Sequence, residues 1–162
     1  MMFMCKFVFA LKLFLDIGYN RLVWDLVEAD ENILDWSIHQ DANTTSWLLN
    51  HISTVLNVYI PRAITGDLSY KPKGWRDDAS PDSMKGLLEE IECGKNQAIE
   101  ALEKLSPDKL LDEIDWYLGT DTRKDYLVLL VSEVIHHEGQ IAALIGLNER
   151  IKGNKPRVQP PE

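Results

Sequence analysis

Two histidines and one glutamate are spaced in this chain as metal ligands on two helices would be. Glu133 and His137 are four residues apart, so on a helix they lie on nearly the same face, about one turn apart. His51 follows Trp47 and Leu48 at helical spacing in an earlier segment. All three positions fall on otherwise apolar stripes, where an imidazole or a carboxylate is costly to bury without a partner. Imidazole nitrogen and carboxylate oxygen are zinc ligands, and a catalytic zinc keeps three protein ligands and one open position.

The pattern predicts a divalent metal, zinc first, but nickel, iron, manganese or cobalt suits the same donors. The competing interpretations are an exposed Glu133–His137 pair, or a buried histidine–glutamate hydrogen-bond network that holds no metal. His136 is the rival ligand, but it lies on a different stripe and is assigned to a polar position beside the ligands. Gln140 is expected to orient a ligand. His136 and Gln140 are weak candidates for a catalytic base, and His39 is expected on the surface.

Four helices are predicted to position these residues. Apolar residues at steps of three and four mark helices at about residues 1–29, 43–66, 80–105 and 123–148. Asn43 or Thr44 is expected to cap the second helix, and Pro61 and Gly66 to weaken and end it. The third helix is expected to open at Ser80-Pro81-Asp82, with proline in its first turn.

The connections and the ends of the chain complete the predicted fold. Residues 106–108, Ser-Pro-Asp, are expected to break the third helix and open a short helical turn. No segment is predicted to be a strand, and residues 116–122 are expected to form an irregular connection. We therefore predict an all-α fold, a compact four-helix bundle over residues 1–150, with a disordered tail at 151–162. The long connections leave the up-down order of the helices open.

Length and charge exclude several classes of protein. The chain has 162 residues, enough for one domain, and 26 acidic against 17 basic side chains, for a net charge of −9. This balance argues against nucleic-acid and anionic-membrane partners. Cys5 and Cys93 are too few for a disulfide framework and fit a reducing, cytoplasmic compartment. The apolar first fifteen residues suggest a signal or anchor, but Lys12 interrupts them and a span needs about 20 residues, so they are interpreted as part of the first helix.

Two segments resemble a known family. Residues 43–52, NTTSWLLNHI, and 133–141, EVIHHEGQI, are similar in type, order and separation to the second-helix and fourth-helix signatures of the DinB-like (YfiT-like) metal-binding four-helix bundles. The resemblance implies a left-handed, up-down-down-up bundle, often a homodimer, with a divalent metal held by three side chains. It places His51 and His137 at ligand positions. Many members have histidine where this chain has Glu133, but the thiol-dependent isomerase branch has the same His-Glu-His set.

The resemblance also implies a class of activity without fixing it. Relatives include S-transferases that use low-molecular-weight thiols and a thiol-dependent maleylpyruvate isomerase. We therefore expect an enzyme whose metal activates a thiol or water for transfer or hydrolysis on a small molecule. The alternative is a non-catalytic metal-binding protein with a stress-related or scaffold role. The site mouth is expected to draw on Trp47 (more readily core), Tyr59, Tyr70, Trp75 and Trp116, and an anionic thiol on Arg62, Lys71, Lys73 and Arg76.

Overall fold

The structure, a computed structural model, describes residues 2–75, 81, 83–116 and 118–154. Five α-helices form in this part of the chain: α1 (Met2–Leu26), α2 (Thr45–Thr54), α3 (Ile60–Thr65), α4 (Met84–Lys104) and α5 (Arg123–Ile151). A π-helical turn, Val55–Tyr59, joins α2 to α3 into one continuous rod. Short 3-10 helices cover Glu31–Ile33 and Pro107–Leu111, and a hairpin pairs β1 (Glu113–Trp116) with β2 (Gly119–Thr122).

The four rods of the bundle run up, down, down and up. Between α1 and α4, the residue numbers of neighbouring pairs fall along one helix as they rise along the other, so these two helices are antiparallel. Pairs between α1 and α5, and between the α2–α3 rod and α4, rise together, so each of these pairs is parallel. The pairs are Lys12–Glu103 and Asp16–Lys95, Gly18–Ile135 and Arg21–Glu138, and Ser53–Glu90 and Asn57–Gly94. The predicted all-α bundle and its helix order are confirmed.

Apolar stripes from all four rods meet in one core. On α1, Leu11, Leu15, Leu22 and Leu26 are buried, which confirms that the apolar start of the chain continues the first helix. The same spacing buries residues of the other rods, which include Leu49, Ile52, Leu56, Leu87, Ile91, Leu102, Leu127 and Ile141. This core fixes which faces of α2 and α5 turn toward each other.

The second rod begins and ends as predicted but passes through its proline. Thr44 caps α2, because its hydroxyl accepts a hydrogen bond from the Trp47 amide at 3.2 Å. Gly66 ends α3 with a left-handed φ of 78°. Pro61 does not weaken the rod, because it stands in the first turn of α3, directly after the π turn. In that turn the Ile60 amide donates to the Val55 carbonyl, five residues back, and this wider turn gives the proline ring room beside the preceding backbone.

Two other local predictions are wrong. The third helix begins at Met84, where Ser83 accepts from the Gly86 amide; Ser80 and Asp82 of the predicted start lie outside the described residues. The connection predicted at residues 116–122 belongs to the β1–β2 hairpin, in which Gly119 takes a φ of 118° that allows the tight reversal. The helical turn predicted after residue 106 is present as Pro107–Leu111.

The ends of the predicted domain are only partly described. Helix α5 continues to Ile151, and residues 155–162 of the predicted disordered tail lie outside the described residues. The domain bounds of 1–150 stay a prediction.

Within the described part of the chain, α5 is the one helix long and apolar enough to cross a membrane. Length and composition alone are weak evidence, because the central helix of a soluble bundle meets the same criteria. Here 44% of the apolar window is buried inside the protein, and Leu127 and Ile141 on this helix are completely enclosed. This burial favours a core helix.

Candidate metal centre

The structure brings the three predicted ligands together on facing sides of α2 and α5. The His137 Nε2 atom lies 3.1 Å from Glu133 Oε2, and His51 Nε2 lies 3.9 Å from the same oxygen. One ligand atom from each residue falls within 4.8 Å of the other two. Ligand atoms held at about 2 Å from one ion are separated by about 3–4 Å, so these three side chains could hold a metal ion.

The cluster is closed on one side and open on the other. The His137 side chain is 10% exposed, whereas the side chains of His51 and Glu133 are 28% and 35% exposed. A structural zinc site encloses the ion with four protein ligands, while a catalytic one keeps a position open. Three donors with a solvent-facing side match the second kind.

The hydrogen bonds of His137 test whether the cluster suits a cation. Its Nδ1 lies 2.8 Å from Gln140 Oε1, an acceptor, and this contact assigns the hydrogen of the neutral ring to Nδ1. In neutral His137, Nε2 then presents a lone pair toward the Glu133 carboxylate, which is also an acceptor. Two acceptors facing each other at 3.1 Å need a donor or a cation between them: a proton on the ring, a proton on the carboxyl group, or a metal ion. The donor set therefore fits a divalent metal, and the proton is the rival occupant.

Removal of the Gln140 acceptor is expected to weaken metal binding. A carboxamide that fixes the ring orientation and tautomer of a ligand histidine contributes about 10–100-fold in metal affinity. We expect Gln140→Ala to lose affinity by that factor and Gln140→Glu, which keeps an acceptor, to retain more of it. Competition with a chelator of known affinity measures both, and equal affinity of Gln140→Ala and wild type would show that this contact has no such role.

Trp47 covers His51 on the open side of the cluster. The two rings are parallel within 2°, with centroids 5.3 Å apart, and Trp47 is 46% exposed. Trp47 was predicted to be more readily core than mouth, and this is wrong: Thr45, Leu48 and Leu49 of the same turn are buried, and Trp47 lies on the other, exposed face of α2. The i,i+4 spacing of Trp47 and His51 predicts their common face but not its exposure.

Burial lowers the pKa of His51 from its usual 6.5, nearby His137 lowers it further, and Glu133 opposes them. A lowered pKa keeps the imidazole neutral, and so able to bind a metal, as the pH falls toward 6.5. The same shift removes folding stability as the pH falls through the lowered value, because the unfolded chain binds the proton first.

The pH dependence of His51 can be measured directly. In metal-free protein we expect its ring resonances to titrate below pH 6.5 in a two-dimensional nuclear magnetic resonance experiment. His51→Gln identifies the resonance. Metal affinity, measured by chelator competition, is expected to fall as His51 takes up its proton. Titration at or above the usual value would contradict the assigned effect of burial.

The remaining histidines lie outside the cluster. His136 is exposed, and its ring stands 5.0 Å from that of His137 without offering a ligand atom to the group. Its predicted position beside the ligands agrees with this, while a catalytic role stays a prediction. His39 is exposed in the first connection, as predicted, and its Nδ1 lies 3.4 Å from Asp41.

Glu138, the acidic neighbour of His137, does not point outward to solvent. The residue is 1% exposed between α1 and α5, and its Oε1 lies 3.3 Å from Arg21 Nε. Burial raises the pKa of Glu138, Arg21 lowers it and Asp25 raises it. Its spacing from Val134 and Ile141 on the apolar stripe is the signal that could have predicted this burial. Glu138 therefore belongs to the α1–α5 contact and not to the metal cluster.

Much of the predicted site mouth lies elsewhere. Trp116 is buried in the core, with its ring centroid 6.2 Å from that of Tyr59. Arg62 lies over Tyr59 and donates to the Tyr70 carbonyl at 2.9 Å. Arg62 is eleven residues beyond His51 on one continuous rod, about 15 Å along it. Arg62, one of the residues predicted to anchor an anionic thiol, is therefore remote from the metal cluster. Arg76 lies outside the described residues, and the roles of Lys71, Lys73 and Trp75 stay predictions.

Solved structures with the same fold are known. A DinB-like protein of Bacillus subtilis, YjoA, is 18% identical to this chain, with a TM-score of 0.66 and coverage of 93% of both chains. A conserved protein of Enterococcus faecalis is 16% identical, with a TM-score of 0.66, over 85% of this chain and 94% of that one. At these identities the likeness shows the fold alone.

The family follows from the sequence. No curated protein matches the chain at a significant level. The sequence model of the DinB superfamily, in contrast, matches residues 15–141, which include the whole His51, Glu133 and His137 cluster. The chain therefore belongs to the DinB superfamily.

Proposed function

We propose that this protein is a metal-dependent enzyme in which His51, Glu133 and His137 hold a divalent metal, zinc first, and that it acts on a small molecule. The observation that carries the proposal is the geometry of the cluster: three donors of two helices converge within 4.8 Å with one side toward solvent. A divalent metal bound there would lower the pKa of a thiol or a water molecule and so supply a nucleophile near neutral pH.

The residues around the cluster have separable roles in this proposal. Glu133 and His137 share one rigid helix, which limits the motion of two ligand atoms relative to each other. Gln140 holds the proton on His137 Nδ1 and leaves Nε2 free to bind. The half-exposed Trp47 indole covers one face of His51 and shields it from water.

A thiol nucleophile would have to come from outside the chain. Cys93 is exposed on α4 and accepts a hydrogen bond from the Gln97 amide, while the cluster is built from α2 and α5. The side chain of Cys5 lies outside the described residues. A small thiol cosubstrate therefore accounts better for thiol chemistry at this site than Cys93 does. Water is the other nucleophile that an open position accepts.

Metal content is the first experiment. Protein purified without chelator and dialysed against metal-free buffer is expected to retain about one equivalent of a divalent ion, measured by mass spectrometry with elemental detection. His39→Ala, which removes an exposed histidine, serves as the matched control for His51→Ala. If wild type and His51→Ala bind zinc equally, the cluster is a hydrogen-bond network and the proposal fails.

Turnover is the second experiment and separates the enzyme from a non-catalytic metal-binding protein. The metal-loaded protein is assayed with a panel of small thiols, and with water alone, against an electrophilic test substrate. Turnover that disappears both in His51→Ala and after chelation supports the enzyme. Stoichiometric metal without turnover toward the panel would favour the alternative, a stress-related or scaffold metal protein.

A further inference from the structure

A cationic cavity lies at the other end of the bundle from the metal cluster. It has a volume of about 450 Å³ and is walled by the ends of α3 and α4, the Pro107–Leu111 helix and the start of α5. Arg123, which lines it, precedes Glu133 by ten residues on α5, which is about 15 Å of helix. The cavity is therefore a separate feature, and the metal chemistry makes no use of it.

The charged residues of the cavity wall are all basic. Lys104, Lys109 and Arg123 line it, and no acidic side chain does so among the described residues, in a chain whose net charge is −9. Two carboxylates form ion pairs with these three cations. Glu100 pairs with Lys104 at 2.6 Å, and a single Asp112 oxygen serves both Lys109 at 3.3 Å and Arg123 at 3.6 Å. One positive charge is therefore left without a carboxylate of its own.

Arg123 is the buried member of this set. The residue is 8% exposed, donates to the Ile64 carbonyl, and carries an Nε–H that meets no acceptor among the residues the structure describes. A buried guanidinium is costly unless its donors are satisfied, and its planar fork suits the oxygens of phosphate and carboxylate. The Asp112 contact at 3.6 Å is too long for a hydrogen bond and leaves this need unmet.

The rest of the wall combines apolar Ile64, Ala101 and Leu105 with the hydroxyl residues Thr65 and Ser106. This open cleft sets an apolar patch beside the charged groups, so it offers contacts to both parts of a small organic anion. We propose that it binds a small organic anion, with the phosphate or carboxylate group toward Arg123 and the lysines and the apolar part against Ile64 and Leu105.

Binding of phenyl phosphate, benzoate, inorganic phosphate and phenol at constant ionic strength, by titration calorimetry, tests the proposal. We expect saturable one-to-one binding of phenyl phosphate, tighter than that of phosphate or phenol alone. Benzoate tells whether carboxylate serves as well as phosphate. Lys104→Gln/Lys109→Gln, both exposed positions, is expected to weaken phenyl phosphate about five- to tenfold. Arg123→Lys, with its fold checked by circular dichroism, is expected to weaken it similarly.

Two controls keep this test independent of the metal cluster. Lys85→Gln removes an equally exposed lysine at the opposite end of α4 and should leave binding unchanged. His51→Ala should also bind phenyl phosphate normally, even if it binds no metal. Non-saturable binding, an equal loss in Lys85→Gln, or a loss in His51→Ala would overturn the assignment of the anion to this cavity.

Discussion

His137→Ala is expected to lose more than 100-fold in zinc affinity, while the protein stays folded. His137 offers the least exposed ligand atom of the cluster and makes its shortest contact, 3.1 Å from Glu133 Oε2. Loss of a partner that only orients a ligand already costs about 10–100-fold, so loss of the ligand itself must cost more. A 100-fold loss corresponds to about 2.7 kcal/mol of binding free energy. Chelator competition on metal-free protein measures the affinity directly.

Thermal unfolding gives an independent measure of the same loss. An ion that binds only the folded state raises the free energy of unfolding by about 2.7 kcal/mol when its free concentration is 100 times Kd. We expect zinc to raise the melting temperature of wild type and to leave that of His137→Ala nearly unchanged. Without zinc, the two proteins should unfold within a few degrees of each other, which shows that the variant has lost the ion and not the fold.

His136→Ala is the matched control, because it removes the neighbouring, exposed imidazole from the same helix. It is expected to bind zinc within about threefold of wild type, since its ring offers no ligand atom to the cluster. The opposite result, with His136→Ala impaired and His137→Ala intact, would show that the wrong histidine of the pair is assigned as the ligand.

Helical spacing alone was enough to predict which residues of the candidate site come together. Glu133 and His137 are four residues apart and so share a helix face, and the apolar neighbours of His51 turn it toward the same core. The bundle class follows from the same periodicity. What spacing does not contain is how far each face is covered, and for this reason the exposure of Trp47 was predicted wrongly.

The other errors have tertiary causes. The spacing of Glu138 from Val134 and Ile141 marks a buried face, but its charged neighbours Arg21 and Asp25 come from α1, more than one hundred residues away, and no local pattern reveals them. The hairpin residues from 116 on were predicted as a connection because β2, Gly-Thr-Asp-Thr, has no apolar side chain, although β1, Glu-Ile-Asp-Trp, alternates polar and apolar residues. Pro61 was predicted to weaken the helix, but it follows a π turn in which the Asn57 side chain is buried against α4.

Asn57, in the middle of this π turn, lies against Gly94 of α4. The Asn57 Nδ2 group donates to the carbonyl and hydroxyl oxygens of Ser53 at 3.0 and 3.2 Å, and to the Glu90 carbonyl of α4 at 3.3 Å. Gly94, one turn farther along α4, has no side chain to obstruct this amide. A methyl group placed on Gly94 would stand 2.4 Å from Asn57 Nδ2 and 2.7 Å from its Cγ.

Gly94→Ala is therefore expected to destabilise the protein by about 2 kcal/mol, although alanine is the better helix former by about 1 kcal/mol. The buried Asn57 amide cannot yield without giving up its hydrogen bonds, and overpacking of this kind costs about 1–3 kcal/mol in addition to each lost bond. For a chain of this length, the change corresponds to a fall of about 4–8 °C in melting temperature, measured by calorimetry.

The controls for Gly94→Ala separate steric overlap from helix propensity. Gly146→Ala makes the same exchange inside α5, where an added methyl group meets no atom within 4 Å, and it is expected to stabilise by about 0.5–1 kcal/mol. Asn57→Ala/Gly94→Ala removes the obstructing amide, so the double variant should lose less stability than the sum of the single variants. Additive losses, or a Gly94→Ala protein as stable as Gly146→Ala, would show that α4 moves aside freely and that the Asn57 contact does not fix its distance from the α2–α3 rod.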